Sequence, residues 1–434
     1  MNSFKKNQEI VLKNGEIVIV NKLLGQGGQG AVYEVTKGGK KYALKWYLPE
    51  YLRRIDQKKF YDNLCANQQA GSPSNNFLWM KSVSEYKQDA FGYLMDLRPN
   101  RFCSFTSILN AEKKITSLKI QLLAAKNICK AFQSLHKNGY GYQDINDGNF
   151  FVDIKTGEVL VCDNDNVAPC GVWMGMAGKD RYMAPEVVLG QKHAGMESDL
   201  FSLAVVLYML FFISHPLEGK AVHECPCLTT QFMKKFYAEK PVFVFDPNNN
   251  TNRPVRGVDN NIITRWPCYP DELKNLFIKS FTKGLRDASY RVRENEWIDC
   301  FDKLLDSIVV CPMCGGEQFY KQNNDDKQTF ICEDCKQSIR KPFIWKNKNV
   351  NKAIIKGSEI EQRHLLDNDS CSIIGRVVES TKHPGLWGIV NLTNKLWDVE
   401  FSNGKVMQIK KDGITPLFKD TTIKIENYEI IIAI

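Results

Sequence analysis

Apolar and polar residues alternate over "EIVLKNGEIVIVNKLL", residues 9–24, on both sides of Asn14-Gly15. A period of two around an Asn-Gly pair predicts a β-hairpin. A second hairpin is predicted over "GAVYEVTKGGKKYALKWY", turning at Gly38-Gly39, and "GYLMDL" (92–97) reads as a buried strand. Residues 50–70, charged and Gln-rich, read as one helix closed by "GSPS". From about residue 112 the period changes. Leu118, Leu122, Ala125, Ile128, Phe132 and Leu135 recur at threes and fours, a helical face that ends at Gly139. Helical patterns dominate to residue 305, and the apolar run Leu200 to Ile213 reads as a buried helix too short to span a bilayer. The last 65 residues return to short strands: "IIGRVV", "WGIVNL", "WDVEF", "TTIKI" and "YEIIIAI".

At 434 residues the chain is too long for one ordinary domain. The net charge of +9 is spread thinly and forms no basic stripe, so no nucleic-acid partner is expected. The N-terminus "MNSFKKNQEIVLKNG" has no apolar segment of signal-peptide type, and no membrane association is expected. Fourteen cysteines without a secretory signal point to a cytoplasmic chain with free thiols and a metal site. Cys311, Cys314, Cys332 and Cys335 have C-x₂-C-x₁₇-C-x₂-C spacing, which predicts a closed, structural Zn²⁺ site. The other cysteines read as buried thiols, with Cys225, Cys227 and Cys268 as an alternative second cluster.

The candidate chemistry lies in the first 305 residues. "GQGGQGAV" places Gly25, Gly27, Gly30 and Val32 in a G-x-G-x-x-G-x-V pattern, followed by a hairpin and not by a helix. A glycine loop between two strands is a flap over a triphosphate, whereas a dinucleotide site needs a helix there. Lys45 ends the apolar strand "YALK", where an ammonium needs an anionic partner. Asp144 and Asn149 stand five apart, and Asp163 closes "EVLVC" fourteen residues later, a set of oxygen donors suited to Mg²⁺. "YMAPE" with Glu186, Asp199 before a long apolar run, and Arg291 in "DASYRVR" follow in order.

Residues 15–300 resemble the protein kinase superfamily, Ser/Thr type. With "CDNDNV" and "RWPCYP", they are similar to a bacterial group in which a zinc ribbon follows the kinase. That group is found beside a PP2C-like phosphatase and a von Willebrand-type protein. The resemblance implies that Gly25, Gly27, Gly30 and Val32 cover ATP, Lys45 contacts its phosphates, and Asp96 and Leu97 meet adenine. Asp144 would take the proton of a protein hydroxyl, Asn149 and Asp163 would hold Mg²⁺ (or Mn²⁺), Asp199 would brace the catalytic loop, and Glu186–Arg291 would clamp the helical lobe.

The chain also departs from that pattern. Tyr142-Gln143 replace His-Arg, Asn146 stands where a Lys is usual, and Asn164-Asp165 replace Phe-Gly. Gln143 is neutral and cannot form an ion pair with a phosphate, and residues 164–181 contain no Ser, Thr or Tyr. Control by activation-loop phosphorylation is therefore not expected, and Trp173, Met174 and Met176 are expected to hold the loop by packing. Glu50 and Asp62 are the candidate partners of Lys45, with Asp62 preferred.

The expected fold is α+β: a two-lobed kinase-like unit, a zinc ribbon and a small all-β module. The expected boundaries are a β-rich lobe at 1–98, a helical lobe at 99–305, the ribbon at 306–345, a linker at 346–368 and a β-sandwich at 369–434. Gly375-Arg376 and Asn391 give the sandwich a faint similarity to a forkhead-associated domain, and a plain docking module is the alternative. The expected function is an ATP- and Mg²⁺-dependent Ser/Thr protein kinase acting on protein substrates. The alternatives are a pseudokinase or ATP-sensing scaffold, and a nucleotidyl or small-molecule phosphotransferase.

Overall fold

The computed structural model describes residues 4–175, 178–227, 229–321, 328–366 and 370–434. The chain divides into two compact units, residues 1–116 with 123–298 and residues 117–122 with 299–434.

In the first unit the alternating segments form an antiparallel sheet. β1 (Glu9–Val11) pairs with β2 (Ile17–Gln26) around Asn14-Gly15, and β3 (Gly30–Lys37) pairs with β4 (Lys40–Tyr47) around Gly38-Gly39. Gly38 and Gly39 both take positive φ, which a two-residue hairpin turn requires. β5 (Met80–Val83) and β6 (Gly92–Asp96) complete the order β1-β2-β3-β4-β6-β5. Val18, Val20, Val35, Leu44 and Leu94 point to one core. The single helix expected over 50–70 is two helices, α1 (Pro49–Leu52) and α2 (Gln57–Ala70). The chain breaks at Asp56, whose carboxylate caps α2 by accepting the Lys59 N–H at 3.0 Å.

The helical lobe begins with β7 (Cys103–Ser104), α3 (Phe105–Leu109) and α4 (Leu118–Lys137). Leu122, Ala125, Ile128, Phe132 and Leu135 of the predicted α4 face are fully buried. β8 (Tyr140–Gly141), β9 (Phe150–Val152) and β10 (Val159–Val161) flank the candidate catalytic loop. α5 (Pro185–Val188) precedes α6 (Met196–Phe212), which is buried throughout from Ser198 onward. Among the described residues no helix is long and apolar enough to cross a membrane.

In the second unit two short hairpins present the cysteine pairs. Cys311 and Cys314 lie between strands Ile308–Val310 and Glu317–Phe319, and Cys332 and Cys335 between Thr329–Ile331 and Ser338–Arg340. An antiparallel six-stranded sheet and a four-stranded sheet make up the rest, sharing a core that includes Trp345, Ile360, Ile389, Trp397, Ile423 and Ile430. The five strands predicted near the end all form.

The segment 346–368 is not a linker. It carries strands Asn351–Ile354 and Glu359–Glu361, and Phe343–Lys346 runs across the expected boundary at 345. The β module therefore starts at Phe343. Strands of three or four residues bury only Ala353, Ile354 and Ile360, too few positions for alternation to register in the sequence. Residues 367 and 368 of the expected linker lie outside the described residues. Gly375 and Asn391 are register partners on adjacent strands. The Asn391 amide donates to the Lys395 and Ile409 carbonyls, and Arg376 pairs with Glu359, so both side chains bond within the sandwich.

Candidate active site

Strand register builds the first wall. Gly25 stands opposite Val32 across β2–β3, and Val32 opposite Lys45 across β3–β4. At Gly30 a Cβ would stand 2.5 Å from the Trp46 carbonyl oxygen, so no side chain fits. At Gly25 and Gly27 a Cβ would meet nothing within 4 Å, which leaves that backbone open to a large anionic ligand.

Lys45 is buried between two carboxylates, Asp163 Oδ1 at 3.1 Å and Asp165 Oδ2 at 2.9 Å. Its Nζ also donates to Gln29 Oε1 at 3.2 Å. Burial opposes the charge on Lys45, but Asp163 and Asp165 outweigh it and hold the ammonium above the ordinary lysine range. The expected partner Asp62 is elsewhere: it pairs with Lys58 one helical turn away, and Glu50 is exposed on α1. α2 buries Phe60, Tyr61 and Leu64, so it brings no carboxylate to this lysine. Asp165 takes that place from the turn after β10. It is fully buried, and the Tyr47 hydroxyl donates to its Oδ2 at 2.6 Å.

A left-handed backbone at Asp163 (φ 52°, ψ 46°) sends successive side chains apart. Asp163 is 41% exposed, Asn164 turns inward to donate to the Leu78 carbonyl at 2.8 Å, and Asp165 reaches Lys45.

Asp144 and Asn149 follow β8. Asp199, in the first turn of α6, accepts the Tyr142 N–H at 2.6 Å and the Gln143 N–H at 3.2 Å, which fixes the loop backbone. The Asn149 amide donates to the Asp144 carbonyl at 2.8 Å, and the Asn149 carbonyl accepts the Cys162 N–H at 2.8 Å. The loop is thereby tied to the end of β10. Asn146 Nδ2 donates to Asp144 Oδ1 at 3.0 Å. Burial pushes the Asp144 carboxyl up to about 6; Asn146 and Lys179 pull it down, and Asp163 and Asp165 add to the rise.

A small hard cation takes oxygen ligands. Asp163 offers a partly exposed carboxylate, and Asn149, with its NH₂ used on Asp144, offers its amide oxygen. Asp165 fits less well, since Lys45 and Tyr47 occupy its oxygens. The donor set therefore suits Mg²⁺. Asp96 ends β6 and pairs with Lys81 at 2.9 Å. A cavity of about 960 Å³ reaches Asp96 and Leu97, but none of Lys45, Asp144, Asn149 or Asp163 lines it.

Side-chain to backbone hydrogen bonds anchor the loop after Asp165. Gln143, also left-handed at φ 67°, donates its amide to the Val172 carbonyl at 2.7 Å. From α2, Asn63 and Asn67 both donate to the Val167 carbonyl at 2.8 Å, and Lys59 donates to the Trp173 carbonyl at 2.9 Å. Met174 is buried, whereas Trp173 is 42% exposed and stacks on His193 at 4.6 Å. Met176 lies outside the described residues. The sequence reading missed Lys59, Asn63 and Asn67; two Asn one turn apart on a helix were the available signal. The Glu186–Arg291 pair forms as expected, bidentate at 2.8 Å for both contacts.

Behind Asp199, the buried His136 bridges two carboxylates, Asp199 at 3.2 Å and Glu294. Burial disfavours its charge, but the hydrogen bonds to Asp199 and Glu294 prevail and raise it to about 9. A histidine raised from 6.5 to about 9 contributes its stability fully below pH 6.5 and loses it as pH rises through about 9. His136→Leu is expected to cost about 3–5 kcal/mol at pH 6, because two buried carboxylates lose their cation. Denaturant melts of both proteins at pH 6 and pH 10 check this, and a difference that does not shrink with pH contradicts it.

In the second unit Cys311 Sγ lies 3.7 Å from Cys335 Sγ, and Cys314 Sγ 3.7 Å from Cys332 Sγ. All four sulfurs lie within 4.8 Å of one another. Zn–S bonds of about 2.3 Å give a tetrahedral edge of about 3.8 Å, so the set fits Zn²⁺. Backbone N–H groups of Met313 and Gly316 point at Cys311 and Cys314 Sγ, each at 3.4 Å, as thiolates require. One zinc per chain is expected by metal analysis, and Cys311→Ser with Cys332→Ser should remove it. Full zinc retention in that double variant contradicts the site.

The protein kinase domain family model matches residues 18–279, more than half of the chain. The chain is 21% identical to protein kinase YegI of Escherichia coli strain K12 over 326 residues, covering 71% of this chain and 48% of that protein. It is 24% identical to a probable serine/threonine-protein kinase, CCRP1, of Zea mays, covering 47% of this chain and 32% of that protein. It is also 24% identical to serine/threonine-protein kinase pim-2 of Danio rerio, covering 45% and 67%. The chain thus spans a third to a half of the length of the first two relatives. With the glycine turn, Lys45, Asp144, Asn149 and Asp163 gathered within the matched residues, the chain belongs to the protein kinase domain family.

Proposed function

We propose that the protein is an active Ser/Thr protein kinase using ATP and Mg²⁺, without control by phosphorylation of residues 164–182. The observation that carries this is Lys45, buried and charged between Asp163 and Asp165, in a site where Asp144 and Asn149 are also fixed.

In the proposed reaction, Asp144 orients a protein hydroxyl and accepts its proton as the oxygen bonds to the γ-phosphorus of ATP. The bond from that phosphorus to the bridging oxygen breaks, and ADP leaves. Lys45 holds the phosphates of the leaving group. Asn149 and Asp163 would ligate Mg²⁺, which offsets charge on the phosphate oxygens when bound. The anchors at Val167, Val172 and Trp173 support a loop that is ordered without a phosphate. On the resemblance alone, a PP2C-like phosphatase and a von Willebrand-type protein are the proposed partners.

The test uses phosphatase-treated protein, freed of phosphatase, with γ-labelled and α-labelled ATP. Label from γ alone should reach protein, with no new phosphate needed within 164–182. Label from α would indicate nucleotidyl transfer, and binding without transfer would indicate a scaffold; either refutes the reading.

A further inference from the structure

We propose that Lys179 is a catalytic residue, whose ammonium stabilises the phosphoryl group in flight from the side of the acceptor hydroxyl. This deepens the kinase reading above and rests on it. The loop from Asp144 to Asn149 contains no cation, and it adds a second carboxylate, Asp147. Lys45 cannot serve the acceptor side, because it is buried and engaged with Asp163 and Asp165. A phosphoryl group passing among four carboxylates needs another positive charge close to Asp144.

Lys179 is placed to supply it. Its Nζ lies 3.2 Å from Asp147 Oδ1, and 3.7 Å from where a Cβ on Gly148 would stand. The ammonium thus sits in van der Waals reach of the catalytic-loop backbone at Gly148. The preceding residue, Gly178, lies beside Asp144: a Cβ there would stand 3.4 Å from Asp144 Oδ1, an ordinary contact distance. Two backbone bonds hold Lys179 in this position, with the Tyr182 and Met183 N–H groups donating to its carbonyl at 2.8 and 3.2 Å. Asn146 does not compete for the place, since its amide turns back onto Asp144. The Lys179 side chain is 56% exposed, so its pair with Asp147 is exchangeable and can yield to phosphate oxygens. The alternative is a surface ion pair with no part in the reaction. Such a pair contributes little to folding, which makes the two readings separable.

The experiment measures transfer of γ-label to dephosphorylated casein and to the protein itself, with kcat and ATP KM determined separately. The proteins are the full chain, Lys179→Met, Lys179→Arg, and the double variant Lys179→Met with Asn146→Lys. Lys179→Met should lower kcat about 10²–10³-fold, the loss typical of one transition-state donor. Its ATP KM and melting temperature should stay near the wild-type values. Lys179→Arg should keep most of the activity, and the double variant should recover at least about tenfold by returning a charge from position 146. A kcat for Lys179→Met within about threefold of wild type overturns the proposal, as does a loss that neither the arginine substitution nor the relocated lysine relieves. A wild-type chain that transfers no γ-label is a different failure: the kinase reading falls, and this proposal with it.

Discussion

Asp144→Asn should reduce γ-phosphoryl transfer by at least about 10³-fold while ATP affinity stays within a few-fold of wild type. Asn keeps the shape of the side chain and its place between Asn146 and Asn166, 3.0 and 3.4 Å away. It cannot accept a proton, and no other described carboxylate shares the position. Nothing about the nucleotide end changes, because Lys45 and the glycine turn lie on the opposite lobe and do not bond to Asp144. Single-turnover transfer of γ-label, measured beside equilibrium ATP binding, separates the two effects. Full transfer by Asp144→Asn would remove the proton-acceptor assignment; loss of binding in parallel would recast the residue as a structural one.

The second large effect belongs to Asp165. Asp165→Asn leaves the buried Lys45 with one carboxylate, Asp163, which is itself partly exposed. Removing one member of a buried ion pair costs about 3–5 kcal/mol, because the remaining charge stays out of water. Lys45 would then be poorly held, so ATP KM should rise at least tenfold along with the loss of stability. Asp62→Ala is the contrasting variant. Its carboxylate serves only Lys58 on an exposed helical surface, so activity should stay within about twofold of wild type. If Asp62→Ala damaged ATP binding and Asp165→Asn did not, the pairing seen here would not be the working one.

The sequence was informative where one short stretch carries its own chemistry. Gly38-Gly39 can form only a tight turn, the α4 face repeats over five turns, and two C-x₂-C pairs at zinc spacing leave few other readings. Lys45 was legible as a lysine that needs an anion, but its partner was not. That partner lies 120 residues away, in a turn whose acidic residues read as a metal site. The substitution of Asp165 for the usual Gly was visible, yet the sequence does not tell which way the side chain points. That is decided by the left-handed backbone at Asp163. The same limit hid the anchoring of Gln143 on Val172, because the acceptor is a main-chain carbonyl and leaves no trace in residue type. The strands at 351–354 and 359–361 were missed for a different reason: each is too short to show a period, and only its pairing with the neighbouring strand, 343–346 or 373–379, makes it visible.

The double grip on Lys45 also bears on inhibitor design. A ligand that wedged beneath the turn after β10 would need that turn to swing outward. In this protein that swing would strip both carboxylates from a buried lysine, leave the Tyr47 hydroxyl without its acceptor and release Asn164 from the Leu78 carbonyl. Drug-like ligands of that kind would have to offset all three losses before gaining any affinity. Compounds that fill the nucleotide pocket with the turn left inward face no such penalty, and they are the better starting chemistry.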